Sequence, residues 1–596
     1  MQSVSQAWKD NQNSTLVGES DIEISLKMTD PDAYEDASAT DNGSVAFADT
    51  NHIVSDGDKN ITPYATLERN LWVLDGSREI VPDSNYDEVG YVGTVLSADN
   101  GKFEVNPIIT INFSKVHINL LQGITIKWSE FLNEFATEFI VTAHNGTSVV
   151  NTKTITNNKS ILSVVMMDIA NYDRITIEIV KWSLAGHRAR IDEIFVGVNK
   201  IFSKSGIFSY ESSHSVDPIS AELPKSEVSF TIDNLDGTYN PYNDEGMSKY
   251  LIERQEINVK YGYKLANGVE WISGGKYYIS EWNAEQNGMS ADFKARDLLE
   301  FMTGTYYKGL YNPNGTSLYD LAEDVLQDAG LPLNSDGSVK WVIDERLKNI
   351  YTVAPLPIDT HANCLQMIAN AGESVFYQDR KGVLRIEVKS AGFGNVTDYS
   401  ITYFNSYSKS DLSLSKPLKQ VDVPCYNYSI ATEKSELFNG TLNINGTTDI
   451  VLTYSGAATN VVASLTGGTL NSATYYTNAC VLNITATGNV KILVNGYALE
   501  TSSVQISVMN DVTGESVSVD NLLITSQERA IAVGTWVKTY MRNRMTLSSE
   551  WRADPRLDAL DIVTNENDYG TNNVIMTNVK YTYNGAFRGS GEGRVI

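Results

Sequence analysis

Three tryptophans in the first third of the chain, and a short basic loop after the last of them, are the residues best suited to bind a ligand. They are Trp72, Trp128 and Trp182, with His187, Arg188 and Arg190 in the loop. A flat indole ring can stack on the apolar face of a sugar while neighbouring polar groups hold the hydroxyls. We therefore take all of these except Trp72 as candidate carbohydrate-binding residues. The alternative is core packing, which is strongest for Trp72 because Leu71 and Val73 flank it.

Motifs of catalysis are missing from the sequence. It has no Gly-x-Ser-x-Gly nucleophile elbow, no phosphate-binding loop and no His-Glu-x-x-His pair. None of the six histidines stands at metal-ligand spacing from another, and His361, which precedes a predicted helix, is expected to be structural. Carboxylates are abundant, but nothing singles out two of them as a glycosidase pair. We therefore expect no enzymatic activity and no cofactor.

An acidic segment near the N-terminus is a further cluster of potential ligands. Its carboxylates are Asp30, Asp32, Glu35, Asp36, Asp41, Asp49, Asp56 and Asp58. Oxygen-rich clusters can bind Ca²⁺, but this spacing matches no EF-hand loop. The segment is therefore predicted to be a solvated loop, and Ca²⁺ binding is left open.

The overall charge restricts the possible partners. The formal net charge is -27, which repels nucleic acid and anionic lipid, so no nucleic-acid partner is expected. No apolar run reaches the length of a membrane span, and the N-terminus lacks the pattern of a signal peptide. Three widely spaced cysteines without a CxxC pair fit assembly in a reducing cytoplasm, with release by lysis.

Short alternating segments place the candidate residues on a β-rich scaffold. Tyr, Val, Ile and Thr are frequent, and these residues favour strands. In the block 61–198, runs such as 108–113 and 174–180 are separated by polar turns, which is typical of a sandwich or barrel. The early segment 71–76 and the closing segment 191–197 resemble the discoidin, or galactose-binding-like, jelly roll. That resemblance implies a ligand site on the loops at one end of the sandwich.

Strong helical signals are confined to residues 297–375. Ser317 is a predicted N-cap, and Gly330 is predicted to end the helix that follows. The apolar face of this helix consists of Leu318, Leu321, Ala322, Val325 and Leu326. A second helix is predicted at 363–371, and a hairpin at 374–388 with its turn at 379–382.

Several short motifs follow one another in a recurrent order. They are SVSQAWK at 3–9, DNLDGTYNPYN at 233–243, VKYGY at 259–263, a Trp…Gly-x-Tyr-x-Ile strand at 271–279, a Phe-x-Ala-x-Asp strand at 293–297, WRADPRLDALD at 551–561 and YNGAFRG at 583–589. In this order they resemble the baseplate hub of contractile phage tails and the tail-associated protein of long flexible tails. The resemblance implies two β-barrel-like domains that trimerise and close the tail tube, and a smaller α/β domain.

The predicted fold is therefore mainly β and multidomain: a jelly-roll sandwich, hub-type β-barrel domains, a small α/β domain and an inserted Ig-like sandwich. The predicted divisions are 1–60 for an N-terminal helix, strand and acidic loop, 61–198 for the discoidin-like sandwich, 199–305 for barrel domain I, 306–388 for the α/β domain, 389–436 with 525–596 for barrel domain II, and 437–524 for the insertion. The N-terminal sandwich and the insertion depart from the family pattern. A hub, an adjoining tip protein and a fibre-anchoring protein all remain open.

The resemblance implies a structural protein of a virion tail tip that contributes to host attachment. Its expected partners are further copies of itself, most simply as a trimer, the tail tube and distal tail proteins, a tail fibre or receptor-binding protein, and host cell-wall glycan. Two alternatives belong to other classes: a secreted carbohydrate-active enzyme with binding modules, and a surface adhesin. Both require an export signal, and the sequence offers none.

Overall fold

The structure is a computed structural model of the 596-residue chain. It describes residues 1–29, 31–43, 53–54, 61, 68, 89–243, 246–248, 251, 254–266, 268–285, 288–331, 339–389 and 394–596. Trp72 and most of the acidic segment, including Asp49, Asp56 and Asp58, lie outside these residues. Strands dominate, so the predicted mainly β, multidomain fold is confirmed.

The described helices and strands follow one another in chain order. The α-helices are α1 (Gln6–Asn13), α2 (Pro31–Asp36), α3 (Leu318–Asp328), α4 (His361–Ala371) and α5 (Gln527–Met541), and two 3-10 helices span Leu298–Phe301 and Glu345–Asn349. The strands of the first half are β1 (Ser20–Met28), β2 (Ser38–Asp41), β3 (Tyr91–Leu96), β4 (Ile108–His117), β5 (Leu121–Trp128), β6 (Ala136–Asn145), β7 (Ser148–Thr156), β8 (Leu162–Ile169), β9 (Tyr172–Trp182), β10 (Arg188–Phe195), β11 (Val198–Ser203), β12 (Ile207–Ser215), β13 (Lys225–Asp233), β14 (Glu256–Leu265), β15 (Gly268–Ala284) and β16 (Ser290–Arg296). Those of the second half are β17 (Thr305–Tyr306), β18 (Thr316–Ser317), β19 (Trp341–Ile343), β20 (Tyr351–Thr352), β21 (Asp359–Thr360), β22 (Ser374–Gln378), β23 (Leu384–Val388), β24 (Val396–Ile401), β25 (Asp411–Leu414), β26 (Leu418–Thr453), β27 (Ala458–Thr466), β28 (Thr469–Tyr475), β29 (Ala479–Met509), β30 (Glu515–Ser518), β31 (Met545–Arg552), β32 (Ile562–Asn567), β33 (Gly570–Tyr583) and β34 (Phe587–Val595).

A sheet of 13 strands, called the central sheet below, joins segments from both ends of the chain. Its main order is β11-β1-β14-β15-β16-β13-β12-β33-β34-β31-β25, and β24 and β32 attach through β33. The junction is β12, which pairs with β13 on one side and with β33 on the other. The two predicted barrel domains are therefore not separate sheets, because one hydrogen-bonded sheet and one hydrophobic core run through both.

Two further sheets form the N-terminal sandwich. One has the order β2-β4-β9-β6-β7 and the other β3-β10-β5-β8, and their inner faces enclose a single apolar core. Strand β2 pairs with β4, so this sandwich begins before residue 61. The prediction of a solvated loop at 30–60 is wrong in part: residues 38–41 form this strand, and Asp36 Oδ2 lies 2.9 Å from His117 Nε2.

The helical region forms its own core with parts of the second half. Ser317 caps α3 by accepting a hydrogen bond from the Asp320 amide at 3.0 Å, as the sequence predicts. The predicted second helix and the hairpin of β22 and β23 are also confirmed. Helix α5 was not predicted. It completes this core through Val533, Val537 and Tyr540.

A long two-stranded ribbon of β26 and β29 extends the helical core. Its two strands pair from Gln420 with Met509 to Thr453 with Ala479. The end of the ribbon at Gln420 and Met509, called the near end below, packs against α5. Gly534 of this helix is required because a Cβ there would lie 2.6 Å from Val508 Cγ2. This packing explains a glycine in the middle of a helix, where it otherwise costs about 1 kcal/mol.

The far end of the ribbon folds over on itself to form a small sandwich of residues 437–498. Ser455 donates a backbone hydrogen bond to Leu437 although strand β26 lies between them, so the strand must bend. The bend lies at Gly446 and Gly488, which both have positive φ. Strand β27 pairs with one half of β29 and β28 with the other, around a core of their own.

This arrangement differs from the predicted Ig-like insertion at 437–524. A single sheet supplies both layers, and residues 499–509 belong to the near end of the ribbon. Leu523 and Ile524, inside the predicted boundary, belong to the helical core.

None of the helices in the described part of the chain is long and apolar enough to cross a membrane. Nor do the described residues contain a group of three or more His, Cys, Asp or Glu that could hold a metal ion.

Candidate functional site

The C-terminal motif at 551–561 forms a buried cluster of charges at the centre of the molecule. Asp554 is fully buried and accepts hydrogen bonds from the Arg556 guanidinium at 2.6 and 2.8 Å. The Trp8 indole of α1 donates to the same carboxyl group at 3.3 Å. Because the two segments are more than 500 residues apart in sequence, this contact ties the N-terminal helix to the C-terminal strands.

Arg380 connects the same cluster to the hairpin of β22 and β23. It stands in the hairpin turn and donates to Asp558 Oδ2 at 2.7 Å and to the carbonyls of Pro555 and Leu557, each at 2.5 Å. A guanidinium presents several donors in one plane, so it can satisfy all three acceptors at once. Ser273 of β15 donates to the Arg380 carbonyl at 2.8 Å, and this bond also links the cluster to the central sheet.

The electrostatics of the cluster favour a charged Asp558. Burial opposes ionisation, but the charge of Arg380 and the contact with His214 outweigh it and hold the pKa of Asp558 well below its usual range. His214 Nδ1 lies 3.1 Å from Asp558 Oδ1, and its Nε2 lies 2.5 Å from the Tyr277 hydroxyl. The cluster can therefore fix the relative position of the central sheet and the helical core.

The last strand of the central sheet, β25, and the loop before it expose a group of apolar side chains, called the edge patch below. It consists of Tyr403, Phe404, Tyr407, Leu412 and Leu414, each at least 46% exposed. Among the described strands, β25 pairs only with β31, so its other edge presents free backbone groups. Unpaired edges with apolar side chains are surfaces on which another chain can add.

The predicted carbohydrate platforms lie in the core of the N-terminal sandwich, so this prediction is wrong for both tryptophans. Trp128 and Trp182 are 0% and 1% exposed, with ring centroids 5.9 Å apart. Their indole groups donate to Ser163 and Glu134, both at 2.8 Å. A sugar cannot stack on rings that are enclosed by other side chains.

The side chains of the basic loop after Trp182 also make their contacts within the protein. His187 is buried, and its Nδ1 lies 2.9 Å from Glu134 Oε1. Arg188 donates to the carbonyls of Gly93 and Thr94, and Arg190 is buried in an ion pair with Glu68. These groups hold the sandwich together, so they are not available to hydroxyls as predicted.

Two functional features escaped the sequence analysis. The Arg380 cluster could not be found because Arg380 and Asp558 stand 178 positions apart, although the motif at 551–561 contained three of its charged members. The other is Trp271, which appeared only as part of a strand motif. It is 38% exposed and lies in a cleft between the N-terminal sandwich and the central sheet.

No protein-family model matches the sequence, and no curated protein matches it. The fold is similar to the 43 kDa tail protein of prophage MuSo2 from Shewanella oneidensis, with 10% identity and a TM-score of 0.36, over 67% of this chain and 95% of that chain. It is also similar to a tail protein from Neisseria meningitidis, with 8% identity and a TM-score of 0.38, over 67% and 93% of the two chains.

A third similar structure is an Escherichia coli component of the type VI secretion system, itself described as similar to tail proteins of bacteriophage T4. Identity is 8% and the TM-score is 0.31, over 66% of this chain and 74% of that chain. These three solved structures are described as a prophage tail protein, a tail protein and a type VI secretion component.

Proposed function

We propose that the chain is a structural component of the tail tip or baseplate of a bacteriophage or phage-like particle. In this role it acts as a hub: copies of the chain form a closed ring, most simply a trimer, that closes the tail tube. The ordered motifs of the sequence motivate the proposal. Neighbours in the assembly would be the tube and distal tail proteins on one side and a fibre or receptor-binding protein on the other.

Two features together carry the proposal: the contacts that join the central sheet to the N-terminal helix and the helical core, and the open edge of that sheet at β25. The central sheet, the N-terminal helix and the helical core meet at buried ion pairs, so the chain can transmit position without internal rearrangement. The sheet then ends at β25 and the edge patch, where a strand or apolar surface of a second copy would be added. Identical contacts repeated around an axis generate a closed ring.

Attachment to the host surface is the second part of the proposal. A ring carries one copy of each binding site per chain. Several weak contacts with cell-wall saccharide that form at once would therefore give strong overall binding. The buried tryptophans of the N-terminal sandwich do not serve this purpose, and another surface has to supply the site.

The mass of the full-length protein in solution tests the assembly part directly. We expect a closed oligomer of a small number of 65.8 kDa chains. Electron cryomicroscopy of purified particles should place that oligomer at the tail tip. A strict monomer, both free and in particles, would contradict the proposal.

A further inference from the structure

A cleft of about 1180 Å³ separates the N-terminal sandwich from the central sheet. It is called the junction cleft below. Lys127, Glu130 and Leu162 line one wall, and Lys260, Trp271 and Ser273 line the other. Ligand pockets for small molecules usually measure about 300–1,000 Å³, so this cleft has room for a ligand of several units.

The strand register explains why the central sheet turns a polar face to this cleft. Alternate residues of a strand share a face, and directly paired residues of neighbouring strands do too. Ser25 of β1 pairs with Asn258 of β14, and Lys27 pairs with Asn199 of β11. The same face continues across β14 to Trp271 and Ser273 of β15, which pair with Gly262 and Lys260. The opposite face of these strands belongs to the hydrophobic core.

The Trp271 ring packs over Gly262 of the neighbouring strand. A Cβ placed on Gly262 would lie 2.8 Å from Cε3 of the indole ring and 2.9 Å from Cζ3. Glycine at this position therefore leaves room for the six-membered part of the indole ring. Trp271 remains 38% exposed and lines the cleft, so part of the indole is accessible there.

Two amide oxygens on the floor of the cleft lack a donor. Asn199 and Asn258 are 5% and 6% exposed, and within the described structure neither Oδ1 atom has a hydrogen-bond partner. The orientation of Asn258 is fixed because its Nδ2 donates to Glu256 Oε1 at 3.1 Å. A buried acceptor without a donor costs about 1–3 kcal/mol, so a ligand that supplies donors gains this energy.

Most charges around the cleft are compensated by a nearby opposite charge, although Lys381 also lines it. Lys127 Nζ lies 2.6 Å from Glu130, Lys260 Nζ lies 3.7 Å from Glu23, and Lys276 Nζ lies 3.9 Å from Glu256. These pairs leave little net charge to attract a strongly anionic or cationic ligand. They favour a neutral ligand that is rich in hydroxyl groups.

We propose that the junction cleft binds an oligosaccharide, with one pyranose ring stacked on Trp271 and hydroxyls donating to Asn199 and Asn258. The inference rests on the proposed function, because it supplies the saccharide site that host attachment needs. An exposed aromatic face supports stacking, and the amide oxygens and ion pairs supply the polar contacts around it.

The test uses the full-length protein and a panel of purified glycans: chitotetraose, maltotetraose, and galactan and rhamnan fragments. Saturation-transfer NMR and calorimetry measure binding of each. We expect at least one glycan to bind with a millimolar or tighter Kd, and Trp271→Ala to weaken it about tenfold. Tyr569→Ala is the matched control, because Tyr569 is a fully exposed aromatic residue elsewhere on the surface and should leave binding unchanged.

A second variant keeps the test informative if Trp271→Ala disturbs the sheet. Ser160 is exposed at the sandwich wall of the cleft, so Ser160→Trp should block entry without touching the core. The inference is overturned if wild type binds no glycan of the panel, or if neither variant lowers the affinity. Oligomeric mass and incorporation into particles are recorded for the same samples. If assembly is intact while no glycan binds, the tail function stands and only the saccharide site is lost.

Discussion

The guanidinium of Arg380 donates a 2.7 Å hydrogen bond to Asp558, which joins a hairpin turn of the helical core to the C-terminal part of the central sheet. Arg380 is only 7% exposed, whereas the Asp558 side chain is 28% exposed. The pair and the two carbonyls that Arg380 also contacts therefore act as one structural unit.

Removing one member of this pair should destabilise the whole chain. Arg380→Ala leaves the carbonyls of Pro555 and Leu557 and the partly exposed Asp558 carboxylate without their donor, and losses of this kind cost about 1–3 kcal/mol. The free energy of unfolding in urea measures the effect. Lys381→Ala, one position along the same turn, is the control and should change it by less than about 0.5 kcal/mol. Equal effects of the two substitutions would contradict the role given to Arg380.

The protein should be less stable at pH 8 than at pH 5.5. Burial raises the pKa of Asp297 to about 7 and that of Asp192 to about 6, from an ordinary value of 3.8. The folded chain thus holds these protons more tightly than the unfolded chain. The stability they contribute is full below pH 4 and is lost as pH rises towards 6–7, by at most about 1.4 kcal/mol per pH unit for each group.

Urea titrations at the two pH values check this expectation. Asp297→Asn, which keeps the shape but cannot ionise, should reduce the difference between pH 5.5 and pH 8. Glu104→Gln changes an exposed carboxyl group and should not. Glu256 and Asp558, whose pKa values are lowered, act only at more acidic pH and do not confuse the comparison. A pH difference that Asp297→Asn leaves intact would rule out Asp297 as its source.

The edge patch should be needed for assembly but not for folding. Leu412 and Leu414 are 56% and 64% exposed, so a lysine at either place costs little in the monomer. In an interface, a lysine would be buried without a partner or would block strand addition. Leu414→Lys should therefore shift the mass in solution from the oligomer to the monomer at an unchanged melting temperature. Ile118→Lys, at a residue of the N-terminal sandwich that is 73% exposed, should leave the oligomer intact. Identical masses for all three proteins would exclude this edge as the interface.

The small sandwich should be removable, provided that the cut follows the structure. Glu436 pairs with Asn495, so a two-residue Asn-Gly turn can replace residues 437–494 and close the ribbon. We expect this variant to unfold cooperatively with a melting temperature within several degrees of wild type. Removal of 437–524 should instead abolish folding, because it deletes Leu523 and Ile524 from the helical core. If the shorter deletion also fails to fold, the small sandwich is an integral part of its host.

Trp182 should behave as a core residue. Trp182→Ala removes a buried indole and leaves Glu134 without one donor, which should cost about 3–5 kcal/mol of stability. Trp271→Ala, at the exposed ring, should cost much less. Thermal melts of both variants decide this, and comparable losses for the two would count against the contrast in burial.

Local patterns predicted the elements that depend on neighbours in sequence. Helix α3, its Ser317 cap and the hairpin of β22 and β23 follow from periodicity, capping and turn chemistry. Helix α5 was missed because Gly534 and several β-branched residues lower its intrinsic preference, and packing on the ribbon outweighs that preference. The fold class followed from the same local patterns.

The candidate site depends on contacts between residues that are far apart in sequence, so most of it could not be predicted from the sequence alone. Trp128 ends a strand and looks like a surface platform, but Phe139 and Trp182 enclose it only after two sheets pack together. Whether an aromatic residue is buried depends on register between strands that are far apart in sequence. The contact of Arg380 with Asp558 is of the same kind.

The ribbon also has a mechanical consequence. Both β26 and β29 run without interruption from the small sandwich to the helical core, so two continuous backbones connect the sandwich to that core. A pull on the small sandwich is carried by peptide bonds and reaches α5 without having to break the cross-strand hydrogen bonds first. Rotation at the other end is opposed by Asn478, whose amide donates to the Leu356 carbonyl at 2.7 Å. The ribbon is therefore built as a tether that resists tension along its length.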